Sequence, residues 1–124
     1  MIEHGKVSVS WRVNTLEVTT LGNFNVEGAL KADTQIKTLV MAREGTKHWF
    51  RIDKPDINTL GSPEVLAIFS KNYLWSFEHG CKAMALVCDC SMQRDLAKSF
   101  VERGNLNIKV FDSVDHAIRW LKCF

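Results

Sequence analysis

Proline is scarce in this sequence, with only Pro55 and Pro63 in 124 residues, and no proline-rich, glycine-serine or repeated segment separates one part of the chain from another. No apolar stretch approaches the roughly 20 residues of a membrane helix. The opening MIEHGKVSVSW has no apolar core of the signal-peptide kind, so a cytoplasmic protein is the expectation. Charge of one sign is also lacking. Sixteen Lys and Arg against fourteen Asp and Glu give a formal +2, and the basic residues are scattered, which argues against a nucleic-acid partner. Four cysteines without a secretory signal read as reduced thiols rather than a disulfide framework. Cys88 and Cys90 flank Asp89, but that spacing is not the two-residue gap of a zinc knuckle and no His lies nearby, so no metal site is expected. There is no GxSxG, no glycine-rich phosphate loop and no HExxH, and His4, His48, His79 and His116 are dispersed. A non-enzymatic protein without a cofactor is the expectation.

What remains is an ordinary globular composition, 46% hydrophobic and 24% charged, enough apolar material for one domain over residues 1–124. Val7, Val9, Trp11 and Val13 alternate with Ser8, Ser10 and Arg12, as in a strand with one wet face. A reversal at Asn14-Thr15 and a second alternation through Leu16 and Val18 complete a hairpin ending near Gly22. Asn25 can cap a helix carrying Val26, Ala29, Ala32, Ile36, Leu39 and Val40 on one face, running to about Arg43 and closed by Gly45.

The organising stretch follows, from His48 to Phe69. Trp49, Phe50 and Ile52, interrupted only by Arg51, suit a strand covered on both faces. From Asp53 the residues Lys54, Pro55, Asp56 and Asn58 supply turn chemistry. Ser62-Pro63-Glu64 then opens a helix: a capping hydroxyl, a proline at the first helical position and an acid in the first turn. That helix carries Val65, Leu66, Phe69, Tyr73 and Phe77 and ends at His79-Gly80. A buried strand over Ala83–Cys88 leads to a third helix with Met92, Leu96, Phe100 and Val101, ending at Gly104. A strand at Ile108–Phe111 precedes a last helix capped by Ser113, with Val114, Ala117, Ile118 and Leu121 turned inward. The order predicts an α/β fold: a mostly parallel sheet of about five strands, an antiparallel N-terminal edge strand, and about four helices.

In this order of elements the chain resembles the STAS-like family, the anti-sigma-factor antagonists of the SpoIIAA type, and more closely their divergent SpoIIAA-like bacterial relatives. Local matches are Gly22-Asn23-Phe24-Asn25, Phe50-Arg51-Ile52-Asp53, and Val110-Phe111-Asp112 leading to Ala117-Ile118-Arg119-Trp120-Leu121. The resemblance implies a regulatory, protein-binding module whose partner is a kinase or regulatory protein, with a phosphorylatable serine in the turn before the second helix. Here Leu60 stands at that place, flanked by Thr59 and Ser62, which become the candidate phosphoacceptors. A phosphate at Ser62 would meet the helix N-terminus favourably, while Asp53, Asp56 and Glu64 would oppose its charge.

Sites in open α/β sheets sit where strands feed into helices, so Asp53, Asp56, Asn58, Thr59, Gly61 and Ser62 are the candidate partner-binding residues. Asp53 alone, without a second placed group, is a weak candidate for a general base. The lipid-binding CRAL-TRIO domains have a similar fold, which implies a second function: a pocket for an apolar small molecule, with Ile36, Leu39, Leu66 and Phe69 as candidate walls. The hairpin edge strand, rich in Val and Trp, offers a route to a homodimer.

Overall fold

The computed structural model describes residues 4–43, 48–56, 62–88, 90–91, 94–95, 98 and 106–124. The elements are β1 (Lys6–Arg12), β2 (Thr15–Leu21), α1 (Val26–Met41), β3 (Trp49–Pro55), α2 (Pro63–Glu78), β4 (Cys81–Val87), β5 (Ile108–Phe111) and α3 (Val114–Leu121). The strands form one sheet in sequence order, β1-β2-β3-β4-β5. Only β1 is antiparallel to its neighbour; β2 to β5 run parallel. This is the expected α/β architecture, with three helices described against the four expected. The expected helix over Met92–Gly104 falls largely outside the described residues, of which Ser91, Arg94, Asp95 and Lys98 are helical.

Each helix begins as its cap residue dictates. Asn25 accepts from the Gly28 N–H at 2.8 Å, Ser62 from Val65 at 3.4 Å and Ser113 from His116 at 3.2 Å. Because β2 to β5 are parallel, all three capped N-termini lie toward the carboxyl ends of those strands. Asn25 has a second task. Its Oδ1 also accepts from the His4 N–H at 2.9 Å, holding the residues before β1 across the first turn of α1.

At that crossing Gly28 is required. A Cβ there would fall well inside van der Waals distance of the His4 carbonyl oxygen, which is main chain and cannot swing aside. Gly28→Ala should therefore destabilise the protein by about 1–3 kcal/mol through overpacking, although alanine is the better helix former by about 1 kcal/mol. Thermal melts test this, and a more stable variant would contradict it.

Three expected boundaries move, the first being that of β4, which spans Cys81–Val87 and not Ala83–Cys88. The hairpin reverses at Val13-Asn14, not Asn14-Thr15, because Arg12 pairs with Thr15 across a two-residue turn. Val13 there has φ 56°, a left-handed conformation that a β-branched residue adopts only at a cost. The third strand continues through Asp53 to Pro55, so the bend begins at Asp56. Pro55 is tolerated because pairing with β4 ends at Asp53, and a proline at the strand's end removes no bond to that neighbour.

One face of the sheet is covered by α1 and α2. Leu16, Val18, Ile36, Val40, Trp49 and Cys81 form one buried cluster there; Phe24, Ala29, Ala32, Val65 and Phe69 form a second. Met84, Leu86 and Cys88 pack with Tyr73, Phe77, Ile108 and Val110 in a third. On the opposite face α3 lays Ala117 and Leu121 on Ile52, Ala83, Ala85 and Val87. No helix among the described residues is long and apolar enough to cross a membrane.

Candidate recognition site at the carboxyl edge of the sheet

Arg51 is fully buried, and it organises the site. Residues two apart in a strand share a face, so Arg51 and Asp53 both point from β3 toward α2. The guanidinium grips Asp53 in a fork, Nε to Oδ1 at 2.6 Å and Nη2 to Oδ2 at 2.9 Å. Its Nη1 donates to Asn72 Oδ1 and to Ser76 Oγ, the latter at 2.8 Å. The Tyr73 ring lies 5.1 Å from the guanidinium carbon, close enough for a cation–π contact. Asn72 and Ser76 are one helical turn apart and both buried; only that spacing presents two polar side chains to one strand residue.

The network continues outward to α1. Asn72 Nδ2 donates to Asp33 Oδ1 at 2.8 Å, and Asp33 Oδ2 holds Lys37 Nζ at 3.1 Å. Strand β3 and both helices above it are thus joined by charge-assisted bonds from the core to the surface. A buried cation is tolerated only when it is paired and hydrogen-bonded, and each of the three guanidinium nitrogens here has a partner. Burial alone would lower the Arg51 pKa, but the charge and hydrogen bonds of Asp53 overcome that and raise it above its ordinary value.

The same burial acts on two neutral neighbours. It pushes the Cys81 thiol up from 9.0 to about 12 and raises the Tyr73 phenol above its ordinary 10.0. The folded protein therefore prefers both groups protonated. Below the unfolded pKa values the folded and unfolded chains hold these protons alike; above about pH 9 the unfolded chain releases them first and stability falls. The thermal midpoint should decline between about pH 9 and pH 12, and Tyr73→Phe should make that decline shallower. An unchanged slope in Tyr73→Phe would remove Tyr73 from the account.

Beyond the network, the backbone leaves the core at a tied corner. The Asp56 N–H donates to Thr20 O at 3.0 Å, and Asp56 Oδ2 accepts from the Gly22 N–H at 2.9 Å. The end of β2 and the start of the bend hold one another. The exposed Ser62 then begins α2, whose outward side carries the exposed residues Glu64, Ala67, Lys71 and Leu74. Bonding to the Glu64 backbone N–H and to Ser62 lowers the Glu64 pKa, keeping its charge at the positive helix end.

The candidate residues from the sequence are distributed unevenly over this corner. Asp53 is 5% exposed with both oxygens on Arg51, so it supports the bend from beneath and presents no free carboxylate. Asp56 is half-buried and fixes the corner; Ser62 is exposed. Asn58, Thr59 and Gly61 lie outside the described residues. The apolar-ligand candidates occupy different places among the described residues. Ile36 and Phe69 fill different clusters, Leu39 lines a shallow cleft with Val7, Val9 and Thr38, and Leu66 is half-buried on α2.

Arg51, Asn72, Ser76 and Asp33 were not legible as a group from the sequence. The available signal was the pair of alternate charges, Arg51 and Asp53, within an otherwise apolar strand, since such charges on a covered face must meet each other.

Comparison with solved structures decides the fold. An uncharacterised protein of the DUF3478 family from Shewanella loihica PV-4, described as having a SpoIIAA-like fold, superposes with a TM-score of 0.68 over 98% of this chain and 96% of its own, at 12% identity. The fold is SpoIIAA-like. No protein-family model matches the chain, and no curated protein matches it in sequence. At 12% identity the likeness establishes architecture alone. Within this SpoIIAA-like fold, the corner built on Arg51 and Asp56 precedes the second helix.

Proposed function

We propose that the chain is a non-enzymatic, STAS-like regulatory module of the bacterial cytoplasm that binds a protein partner through the bend leading to Ser62 and the outer side of α2. The observation that supports this reading is how the two described ends of that surface, Asp56 and the start of α2, are mounted. A buried hydrogen-bonded network joins β3 to α1 and α2, while Asp56 ties the corner to β2. Surfaces held in one conformation bind without the entropic cost of ordering themselves. Leu74, 49% exposed, lies on the same stripe of α2 as Glu64, Ala67 and Lys71, an apolar side chain one turn from a charged one. Ser62, an exposed residue whose hydroxyl caps α2, is the described residue at which a kinase would alter this surface, with Thr59 as the second acceptor.

Site-specific photocrosslinking in bacterial cells tests the proposal. A photoreactive residue replacing Ala67 should give a discrete protein adduct that is lost in Leu74→Asp, whereas the same residue replacing Arg119, exposed on α3 across the sheet, should give none. Equal adducts from both positions, or none from Ala67, would overturn it. Phosphopeptide mapping of the protein from the same cells tests the acceptors, and finding neither Ser62 nor Thr59 modified would remove the switch.

A further inference from the structure

The free edge of the sheet carries a second feature that the recognition corner does not use. β1 is the first strand of the sheet and pairs on one side only, with β2. The bonds of β2 fix which groups of β1 are left over. The Thr20 carbonyl accepts from Asp56 and the Asn14 carbonyl from Phe50, both on the β3 side. Backbone groups alternate in direction along a strand, so Thr15, Glu17, Thr19 and Leu21 bond to β1, whereas Leu16, Val18 and Thr20 turn away from it. Opposite those three stand Trp11, Val9 and Val7. Their N–H and C=O groups therefore point out from the sheet, a row of donors and acceptors that another extended chain meets as a set.

Between β1 and α1 lie two half-open clefts. The first, of about 370 Å³, is kept open by Gly5, Gly28 and Ala32, which have little or no side chain. The second, of about 420 Å³, is lined by Val7, Val9 and Leu39 with Thr34 and Thr38. Both threonine hydroxyls are turned back to helix carbonyls, Thr34 to Leu30 at 3.1 Å and Thr38 to Thr34 at 2.8 Å, so the second cleft suits an apolar side chain. Val7 and Gln35 line both clefts and stand between them. The clefts thus follow the step from Gly5 to Val7 to Val9, two residues or about 7 Å, which is the spacing of neighbouring side chains on one face of a strand.

Charge at the ends of β1 distinguishes one extended chain from another. In the register that pairs the whole strand with a second copy, Lys6 of each chain faces Arg12 of the other, and like charges directly opposite are destabilising. Arg12 already has Glu17, Oε1 to Nε at 3.1 Å, and Phe124 with its terminal carboxylate lines the same cleft as Arg12. Lys6 is exposed and has no ion-pair partner among the described residues, so it is the end at which an added strand gains from an acid. We infer that the β1 edge takes up an extended segment of a partner protein as an added antiparallel strand, its apolar side chains entering the clefts two residues apart and an acidic residue standing opposite Lys6. This site shares no residue with the surface on α2, so either can fail without the other.

The peptide Thr-Val-Thr-Val-Thr-Val-Glu, blocked at both termini and titrated into the full chain at concentrations where it stays monomeric, tests the site by amide NMR. It should shift the Val7, Val9 and Trp11 amides saturably and slow their exchange with water. In this register the central valine of the peptide bonds Val9 and its threonine amides face away. Methylating the nitrogen of that valine should therefore abolish saturable binding, and methylating that of the next threonine should preserve it. Exchanging the glutamate for lysine should weaken binding roughly two- to fivefold, the effect of one exposed ion pair. Lys6→Gln should remove most of that difference while melting as the parent protein does. No saturable shift along β1, loss of binding with both methylated peptides or with neither, or self-association of the free chain through the same three amides, which would give the edge to a second copy, would each overturn the inference.

Discussion

Replacing Arg51 by methionine should destabilise the protein by about 3–5 kcal/mol, the loss that follows when one partner of a buried ion pair is removed and the other charge is stranded. Asp53, only 5% exposed, would keep its carboxylate with no cation in reach. Asn72 and Ser76 would also lose the Nη1 donor that they share. The effect separates into parts. Arg51→Met combined with Asp53→Leu removes both charges and should regain much of the loss, since an apolar pair can replace a buried salt bridge at little cost. Recovery should stop short of complete, because Asn72 Oδ1 remains without the donor it had, worth about 1–3 kcal/mol when buried. Denaturant unfolding of the two single variants and the double completes the cycle. A double variant no more stable than Arg51→Met would mean that Asp53 was never the principal loss.

Trp49→Ala should cost a similar amount, about 3–5 kcal/mol, for a different reason. Trp49 is wholly buried at the start of β3, with its ring edge-on to Trp11 at a centroid distance of 5.5 Å. Its indole N–H donates to His79 O at 2.8 Å, and its backbone N–H to Gly80 O at 3.2 Å. Through these bonds the residue fixes the end of α2 to the beginning of β3. Gly80 makes the approach possible by turning at φ 100°. Truncation opens a cavity among Leu16, Ile36, Val40 and Cys81; Trp49→Phe, which fills most of it but cannot donate, should lose less than half as much. Equal losses in the two variants would show that the hydrogen bond outweighs the packing.

The sheet was readable because its signals are short-range. Alternation in Val7–Trp11, the apolar run at Ala83–Cys88 and the caps Asn25, Ser62 and Ser113 each act within a few residues; the caps stand where the sequence places them, and β4 overlaps its expected run from Ala83 to Val87. The hairpin turn slipped by one residue because Val13 occupies a conformation that its own side chain disfavours, and the local preference pointed to Asn14-Thr15. β3 outlasted its expected end for a related reason. Asp53 reads as a turn residue when considered alone, yet with Arg51 two positions earlier it becomes half of an ion pair that continues the strand. Asn72 and Ser76 were equally hard to see, since polar residues on an apolar helix gain meaning only from the strand opposite. The clefts beside β1 depend on α1 lying along that strand, and no local pattern joins Val9 to Leu39.

Native-state hydrogen exchange of the Gly22 and Asp56 amides tests most directly whether the buried network and the Asp56 tie hold the corner between the ends of β2 and β3 to the sheet. Both amides are bonded across the corner, one to a carboxylate and one to a strand carbonyl. The account predicts that they open only with the core of β3, with exchange free energies within about 1 kcal/mol of the Ile52 amide. Exchange through a local opening several kcal/mol easier than that of Ile52 would contradict it, because the corner at Gly22 and Asp56 would then open independently of Arg51 and its partners.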